Sequence, residues 1–292
     1  MLPVQAFWFT IMHMNPLRVL SVQDISCYGQ CSLTVALPIL SALGIETPIL
    51  PTAILSTHTS GFQGFTFRDL SMDLPSIVEH WKKERIAFDA VYTGYLGSSE
   101  DVAIVKALAA GELNRGPLIV DPAFGDNGVL YGGFTDAYVA SMRELCFHCD
   151  VMLPNLTEAC ALLGIPFVAR PTMDEAKDIA AKLVDHGAKS VVLKGIGQND
   201  GETGVLVYDG KTFQTYFHHR LSKDSHGTGD VFASVFVGSY MRGLSVLDAA
   251  TMACDFTYRC IQNTMDDESH AYGVKFEPLL GGLAADLEKR LK

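Results

Sequence analysis

The sequence predicts an α/β fold of three layers, in which helices cover both faces of a mainly parallel central sheet. Short runs of β-branched and aliphatic residues alternate with longer helical patterns from residue 17 to the C-terminus, as in βαβ units. Residues 204–217 break this alternation, because two strand-like runs joined by Asp209-Gly210 indicate a β-hairpin. Antiparallel strands are therefore expected at the edge of the parallel sheet.

The first half of the chain supplies four of the predicted strands. The helix after the first strand is predicted to end at Gly44, since glycine is favoured just beyond a helix C-terminus. A later helix begins with Ser76 and Glu79, which have the spacing of a capping box. In chain order the elements are strand Leu17–Val22, helix Leu33–Leu43, strand Ile49–Leu55, helix Ser76–Arg85, strand Ala90–Thr93, helix Glu100–Ala110 and strand Leu118–Val120.

The second half begins with a glycine-rich loop over Asp121–Gly133 and becomes mainly helical after the hairpin. Its elements are helix Thr135–Leu145, strand Val151–Leu153, helices Asn155–Leu163 and Met173–His186, strand Ser190–Leu193, the hairpin, helices Gly229–Arg242 and Val246–Asn263, and a final amphipathic helix to Lys292. No internal repeat or low-complexity linker interrupts the pattern. Residues 14–292 are therefore predicted to form a single domain, and residues 1–13 an extension before it.

The composition is that of a globular chain with an acidic balance. With 292 residues, 48% of them hydrophobic and 19% charged, disorder and fibrous repeats are excluded. The net charge of −11 repels phosphate backbones and anionic lipids, so neither nucleic acid nor a membrane surface is an expected partner. We expect a cytoplasmic protein for three reasons. The seven cysteines are scattered as in a reducing compartment, no apolar run reaches the roughly 18 residues of a membrane span, and the N-terminus lacks the basic leader of a signal peptide.

One segment has the character of a phosphate-binding site. The sequence lacks both the P-loop pattern and a G-x-G-x-x-G after the first strand, which removes the commonest nucleotide-binding folds. Instead, Ser225–Asp230 reads SHGTGD and leads directly into an apolar helix. Gly227 and Gly229 allow the backbone to approach a ligand closely, and the start of a helix favours anions. The segment suits a phosphoryl group that gains negative charge during transfer.

Asp230 is the candidate general base in this segment. At the opening of the helix its carboxylate could accept a proton from a substrate hydroxyl, while the neighbouring amides hold the phosphoryl group. The alternative is that Asp230 only caps the helix, because Asp is a favoured N-cap residue.

Three motifs make the chain resemble the vitamin B6 (pyridoxal/pyridoxamine) kinases of the ribokinase superfamily, over roughly residues 17–285. They are GTGD at the start of the late helix, PNLTE over Pro154–Glu158 and GYLGS over Gly94–Ser98. The resemblance implies a ribokinase-like fold, usually in a homodimer, that phosphorylates a hydroxymethyl group with ATP and Mg²⁺. It also implies that Asp230 is the catalytic base and that the amides of Gly227, Thr228 and Gly229 form the anion hole.

The resemblance assigns further residues to the metal ion. Glu158 matches the carboxylate that orders magnesium and its waters, and Asp121 and Asp126 fall in the loop on the phosphate side. Indirect binding is chemically reasonable, since Mg²⁺ keeps several waters. The alternatives are a helix cap at Glu158 and turn chemistry at Asp121-Pro122. A monovalent cation such as K⁺ is a further requirement that the sequence leaves open.

The nucleotide residues implied by the resemblance follow the later strands. Asn155 belongs to the PNLTE motif, Lys194 and Gly195 end a strand on the ATP side, and Thr203 follows them, together with Gly227 of the anion hole. A lysine at this place can meet phosphate charge as a point cation. The alternative is a solvated lysine at a strand end.

The resemblance implies B6 substrate residues in three parts of the chain, namely the segment after the first strand, Ser56–Thr59 and the GYLGS motif. Ser56–Thr59 matches an S-x-H-T signature beside the pyridine ring, and an aromatic residue and a histidine are sensible partners for a flat heteroaromatic ring. Asp24 departs from many members, which have Ser there, so the preferred form of B6 stays open. The six residues are Asp24, Tyr28, Thr57, His58, Thr59 and Tyr95.

Two other functions remain as alternatives. Hydroxymethylpyrimidine kinases share the fold and the catalytic end, but they usually carry a glutamine in the loop where this chain has Ser56–Thr59. A non-catalytic B6-binding protein is the alternative from another class, and the intact Asp230, Gly227 and Gly229 argue against it.

Overall fold

The computed structural model describes residues 16–59, 61–222 and 226–292. The predicted N-terminal extension, residues 1–13, lies outside the described residues.

The strands of the described residues are β1 Val19–Ser26, β2 Ile49–Leu55, β3 Phe67–Asp69, β4 Ala90–Thr93, β5 Leu118–Val120, β6 Gly125–Asp126, β7 Val129–Leu130, β8 Val151–Met152, β9 Ser190–Ile196, β10 Glu202–Tyr208 and β11 Phe213–His219. Nine of them form one sheet, in the order β11-β10-β9-β8-β5-β4-β1-β2-β3. Its six inner strands, from β9 to β2 in that order, pair in parallel, while β3, β10 and β11 pair antiparallel with their neighbours. A separate hairpin pairs β6 with β7.

Five of the nine helices of the described residues begin at a short polar side chain that caps them. Ser98 and Thr135 accept hydrogen bonds from backbone N–H groups of the first turn, and Asn155 and Thr172 form capping boxes. None of these helices is long and apolar enough to cross a membrane. The helices are α1 Leu33–Ala42, α2 Leu74–Lys83, α3 Ser99–Ala109, α4 Asp136–Cys146, α5 Leu156–Leu163, α6 Met173–Asp185, α7 Thr228–Met241, α8 Val246–Thr264 and α9 Leu280–Arg290.

Two hydrophobic cores lie on opposite faces of the sheet. Neighbouring strand residues enter different cores, as Val91 and Tyr92 do, because side chains alternate along a strand. One core is packed by α2 to α6 and the other by α1 and α7 to α9. The predicted three-layer α/β architecture with antiparallel edge strands is therefore confirmed.

Two details of the predicted elements were wrong. The capping box of Ser76 and Glu79 does not form: α2 starts earlier, at Leu74, with Pro75 in its first turn, a position that proline favours. The Ser76 hydroxyl instead donates to the backbone oxygen of Asp73, at 2.8 Å. The first strand extends beyond its predicted end to Ser26, so Asp24 lies on β1 and not in a loop.

The parallel strands bring their carboxyl ends to one edge of the sheet. Tyr95, Asp121 and Asn155 follow β4, β5 and β8, and Lys194 lies near the end of β9. Ligands of open α/β sheets bind at this edge. The candidate site is built there.

Candidate active site

A cavity of about 1030 Å³ opens at this edge and reaches the start of α7. It brings together side chains from both ends of the chain, including Asp24 on β1 and Asp230 on α7. Most of the residues predicted for the site line it, namely Asp24, His58, Thr59, Tyr95, Asp121, Asp126, Asn155, Glu158, Lys194, Gly195, Thr203, Gly227, Thr228, Gly229 and Asp230.

Two predicted substrate residues are not part of the lining. Tyr28 is 51% exposed, and its ring packs on Tyr272 with 4.8 Å between centroids. The Thr57 hydroxyl is buried and has no hydrogen-bond partner among the described atoms. Neither Tyr28 nor Thr57 is therefore among the residues that line the cavity.

The anion end of the cavity is the N-terminus of α7. Gly227 is the N-cap residue, with a left-handed φ of 74°, and its carbonyl oxygen accepts the Val231 N–H at 3.0 Å. Thr228 and Gly229 follow in the first turn and line the cavity. Since a helix N-terminus carries partial positive charge, this end favours a phosphate group.

Gly227 is expected to be essential for the stability of this end. A Cβ atom at residue 227 would lie 1.9 Å from the backbone oxygen of Gln30, and the left-handed φ strains any side chain. Gly227→Ala should therefore lower the free energy of unfolding by about 2–4 kcal/mol. Urea unfolding measures this loss.

Gly229 provides the matched control for Gly227. A Cβ atom there meets no heavy atom within 4 Å, so Gly229→Ala should change the free energy of unfolding by less than about 1 kcal/mol. Equal losses in the two variants would contradict the close packing of Gly227 on the segment after β1.

Asp230 is half-buried beside this helix start. Burial raises its pKa to about 7, and the carboxylates of Asp121 and Asp24 add to the rise, although a hydrogen bond from the Ser32 backbone opposes it. A base whose pKa lies near the working pH is well suited to accept a proton from an alcohol.

A buried ion pair lies next to Asp230. The Lys194 Nζ atom is 3.0 Å from both carboxylate oxygens of Asp121, and the two side chains are only 14% and 6% exposed. Burial alone would lower the pKa of Lys194, but Asp121 and Glu158 raise it overall. Lys194 is therefore a charged, partnered lysine and not the solvated strand-end residue of the alternative reading.

Glu158 is held by the backbone around it. Its Oε1 accepts the Phe124 N–H at 3.2 Å, and its Oε2 accepts the Asn155 N–H at 2.8 Å as part of the capping box. Burial raises the pKa of Glu158, and the nearby Asp121 raises it further. Glu158 is thus a helix cap whose fully buried carboxylate also faces the cavity.

The predicted metal residues do not form a complete metal cage. In the described residues, no group of three or more His, Cys, Asp or Glu side chains is placed to hold a metal ion. Asp126 accepts hydrogen bonds from its neighbour Asn127, whereas Asp121 and Glu158 lie close to each other. Two carboxylates fit Mg²⁺ that keeps its waters and is shared with substrate phosphates.

Aromatic and imidazole side chains in the same lining are suited to a flat ring. Tyr95 and Phe65 line the cavity together with His58, which is 6% exposed. The His58 Nε2 atom lies 3.0 Å from the Tyr272 carbonyl oxygen, and burial lowers its pKa. Gly29 makes room for this histidine, since a Cβ there would lie 2.0 Å from the His58 ring.

Six residues that line the cavity were not predicted from the sequence. They come from α7, α8 and the edge strand β11, where the hydrophobic pattern indicates ordinary core packing and gives no signal of a site. They include Phe232, Cys254, Thr257, Tyr258, Ile261 and His218.

A helix start that favours anions, a carboxylate beside it and aromatic side chains line one cavity, an arrangement suited to phosphoryl transfer to a small molecule. Residues 39–275 match the protein family described as phosphomethylpyrimidine kinase. The chain therefore belongs to this family of kinases.

The relatives are named after two different substrates, a hydroxymethylpyrimidine and pyridoxal. Hydroxymethylpyrimidine/phosphomethylpyrimidine kinase of Bacillus subtilis is 29% identical over 73% of this chain and 78% of its own. A Bacteroides thetaiotaomicron structure assigned as a phosphomethylpyrimidine kinase, crystallised with pyridoxal, is 36% identical with a TM-score of 0.87, over 92% and 96% of the two chains. Pyridoxal kinase of Lactobacillus plantarum is 33% identical with a TM-score of 0.86, over 94% and 99%.

Proposed function

We propose that this kinase transfers the γ-phosphoryl group of ATP to the hydroxymethyl group of pyridoxal, pyridoxine or pyridoxamine, with Mg²⁺. The observation that carries the proposal is the arrangement of one cavity. Asp230 and the start of α7 line this cavity together with Asp24, His58 and Tyr95, side chains that suit a heteroaromatic ring. Pyridoxal bound to a relative that is 36% identical supports the same choice of substrate.

In this reaction Asp230 acts as the general base. The substrate hydroxyl gives its proton to the carboxylate as its oxygen attacks the γ-phosphorus, and the bond from phosphorus to the bridging oxygen of ADP breaks. The backbone amides at Gly227, Thr228 and Gly229 stabilise the charge on the transferring group. Because the base and the amides share one helical turn, the alcohol and the phosphoryl group are held in line.

Asp121 and Glu158 would hold Mg²⁺ through water, and the bound ion would neutralise charge on the ATP phosphates. Lys194, next to Asp121, adds a fixed positive charge on the same side. We assign Asn155, Gly195 and Thr203 to the nucleotide, since they line the cavity on or just after the neighbouring strands β8, β9 and β10.

Hydroxymethylpyrimidine kinase is the second candidate function. The description of the family and the name of the Bacillus subtilis relative favour it. Both candidate substrates are flat nitrogen heterocycles with a hydroxymethyl group, so the same base and anion site serve either one.

A coupled assay of ADP release across the three B6 forms and 4-amino-5-hydroxymethyl-2-methylpyrimidine tests the proposal. We expect kcat/KM to be at least about tenfold higher for one of the B6 forms than for the pyrimidine. A reaction without an acceptor controls for ATP hydrolysis by water. A higher kcat/KM for the pyrimidine would transfer the assignment to the second candidate.

We also propose that the protein works in the cytoplasm, as a homodimer. The cysteines support the compartment, because all seven are free and five of them are buried. The resemblance to ribokinase-superfamily enzymes supports the homodimer.

A further inference from the structure

Gln30 packs directly on the residue that begins the anion-binding helix. Its backbone oxygen would lie 1.9 Å from a Cβ atom at residue 227, and Gly227 is the N-cap residue of α7. Gln30 lies between β1 and α1, outside any helix or strand. Because such a segment lacks the repeating hydrogen bonds of a helix or a sheet, tertiary contacts must fix the place of this oxygen.

The contacts that hold Gln30 come from the 270–277 segment, which lies between α8 and α9. The Gln30 backbone N–H donates to the Tyr272 carbonyl oxygen at 3.0 Å. The side-chain Nε2 donates to the Glu277 Oε1 atom at 2.6 Å, and the side-chain Oε1 lies 2.9 Å from His270 Nε2. Both the backbone and the side chain of Gln30 are therefore tied to residues about 240 positions later in the chain.

The polarity of these contacts allows only one orientation of the Gln30 amide. An ionised carboxylate only accepts hydrogen bonds, so Glu277 selects the amide nitrogen, and the amide oxygen accepts from the Nε2–H of His270. Gly273 lets the 270–277 segment come this close, since a Cβ atom there would lie 2.4 Å from the Gln30 Cβ. The side chain is thus clamped in a single position.

The same segment also holds a residue that lines the cavity. The Tyr272 carbonyl oxygen lies 3.0 Å from the Nε2 atom of His58. Because a carbonyl oxygen only accepts, this nitrogen of His58 carries a hydrogen and donates it. One carbonyl therefore receives both His58 and the backbone N–H of Gln30, and neither of these two hydrogen bonds uses the Gln30 side chain.

We propose that Gln30 is a positioning residue for phosphoryl transfer: clamped by the 270–277 segment, it sets the place of Gly227 and so aims the amides at the start of α7. The inference rests on the proposed function, in that these amides bind the transferring phosphoryl group. Gln30 is not among the residues that line the cavity, so it acts through Gly227. Amide donors stabilise a transition state only where they are held in place beforehand, so a loosened N-cap residue lowers the rate more than acceptor binding.

Gln30→Ala tests the clamp, because it removes both side-chain hydrogen bonds. We expect kcat to fall about 10- to 100-fold. KM for the acceptor should change less than about threefold, since the backbone of residue 30 still donates to Tyr272. Lys275→Met is the matched control: it breaks an ion pair with Asp267 in the same part of the chain and should leave kcat within about twofold. An unchanged kcat in Gln30→Ala, or an equal loss in the control, overturns the proposal.

An exchange of two side chains separates positioning from packing. Gln30→Glu places two carboxylates together, whereas Gln30→Glu combined with Glu277→Gln restores one donor and one acceptor in reversed order and still offers an oxygen to His270. We expect the single variant to lose about tenfold in kcat and the double variant to return to within about threefold of the wild type. A double variant that is no faster than Gln30→Glu overturns the proposal.

Nucleotide binding without an acceptor gives a readout that does not depend on the substrate. Calorimetry compares AMP-PCP, a non-hydrolysable ATP analogue, with ADP, which lacks the γ-phosphate. Gln30→Ala should raise Kd about tenfold for AMP-PCP and less than about twofold for ADP, because the start of α7 meets the γ-phosphate. An equal change for both nucleotides, or none, overturns the proposal. If this pattern is found but the wild type phosphorylates neither ring, only the proposed acceptor is wrong.

Discussion

Asp230→Asn is expected to lower kcat by about a thousandfold while KM for the acceptor changes little. The variant keeps the shape of the side chain but cannot accept the hydroxyl proton, and general-base catalysis contributes about 10²- to 10⁴-fold. Asp230 lines the cavity at the first turn of α7, next to the glycines of the anion site. Steady-state kinetics with saturating ATP measure the effect.

The pH dependence of the wild type belongs to the same prediction. Because the pKa of Asp230 is raised to about 7, the carboxylate is protonated below that pH, and kcat/KM should fall tenfold for each further pH unit. This acidic limb should be absent from the residual activity of Asp230→Asn. A variant with near-normal kcat, or one that keeps the limb, would remove Asp230 from the role of base.

The stability of Asp230→Asn separates loss of chemistry from loss of fold. The folded pKa lies above the ordinary value of 3.8, so the folded state binds a proton more tightly than the unfolded chain does. Ionised Asp230 therefore destabilises the fold progressively as the pH rises from about 4 to about 7. The neutral variant should be more stable than the wild type by about 1–2 kcal/mol at pH 8, and by less at pH 5.

Local patterns predicted the architecture well where an element is long or fully buried. Strands β2, β4 and β5 have the bounds that their apolar runs predict, because the helices on both faces demand continuous hydrophobic residues. Strand β3 was missed, since its three residues are all exposed and carry no alternating pattern. The two-residue strands β6 and β7 are likewise too short to give a periodic signal.

The site was predictable where a motif coincides with a strand end or a helix start. Gly227 and Asp230 were found in this way, and the geometry brings them into the cavity. The partner of Lys194 was not predicted, since Asp121 lies 73 residues earlier in the chain. Only the parallel pairing of β5, β8 and β9 brings the two strand ends together.

Lys194→Met is expected to be the most destabilising single change of charge at the site. It removes the cation that pairs with Asp121 and also acts on Glu158, and leaves two carboxylates that are almost entirely buried. Breaking a buried pair in this way costs about 3–5 kcal/mol of the free energy of unfolding. Lys182→Met, which breaks an exposed pair with Asp178 on α6, should cost less than about 0.5 kcal/mol.

The sign of the pH dependence and a second substitution identify the cause of the stability loss in Lys194→Met. Without Lys194 the folded pKa values of Asp121 and Glu158 rise further, so the deficit should grow as the pH rises from 5 to 8 and the carboxylates ionise. Adding Asp121→Asn to Lys194→Met removes one of the stranded charges and should recover at least about half of the lost stability. Urea unfolding of the wild type, Lys194→Met, the double variant and Lys182→Met at pH 5 and pH 8 gives the comparison. If the double variant is no more stable than Lys194→Met alone, the lost stability comes from packing of the lysine side chain, and the ion pair of Lys194 with Asp121 does not stabilise the fold.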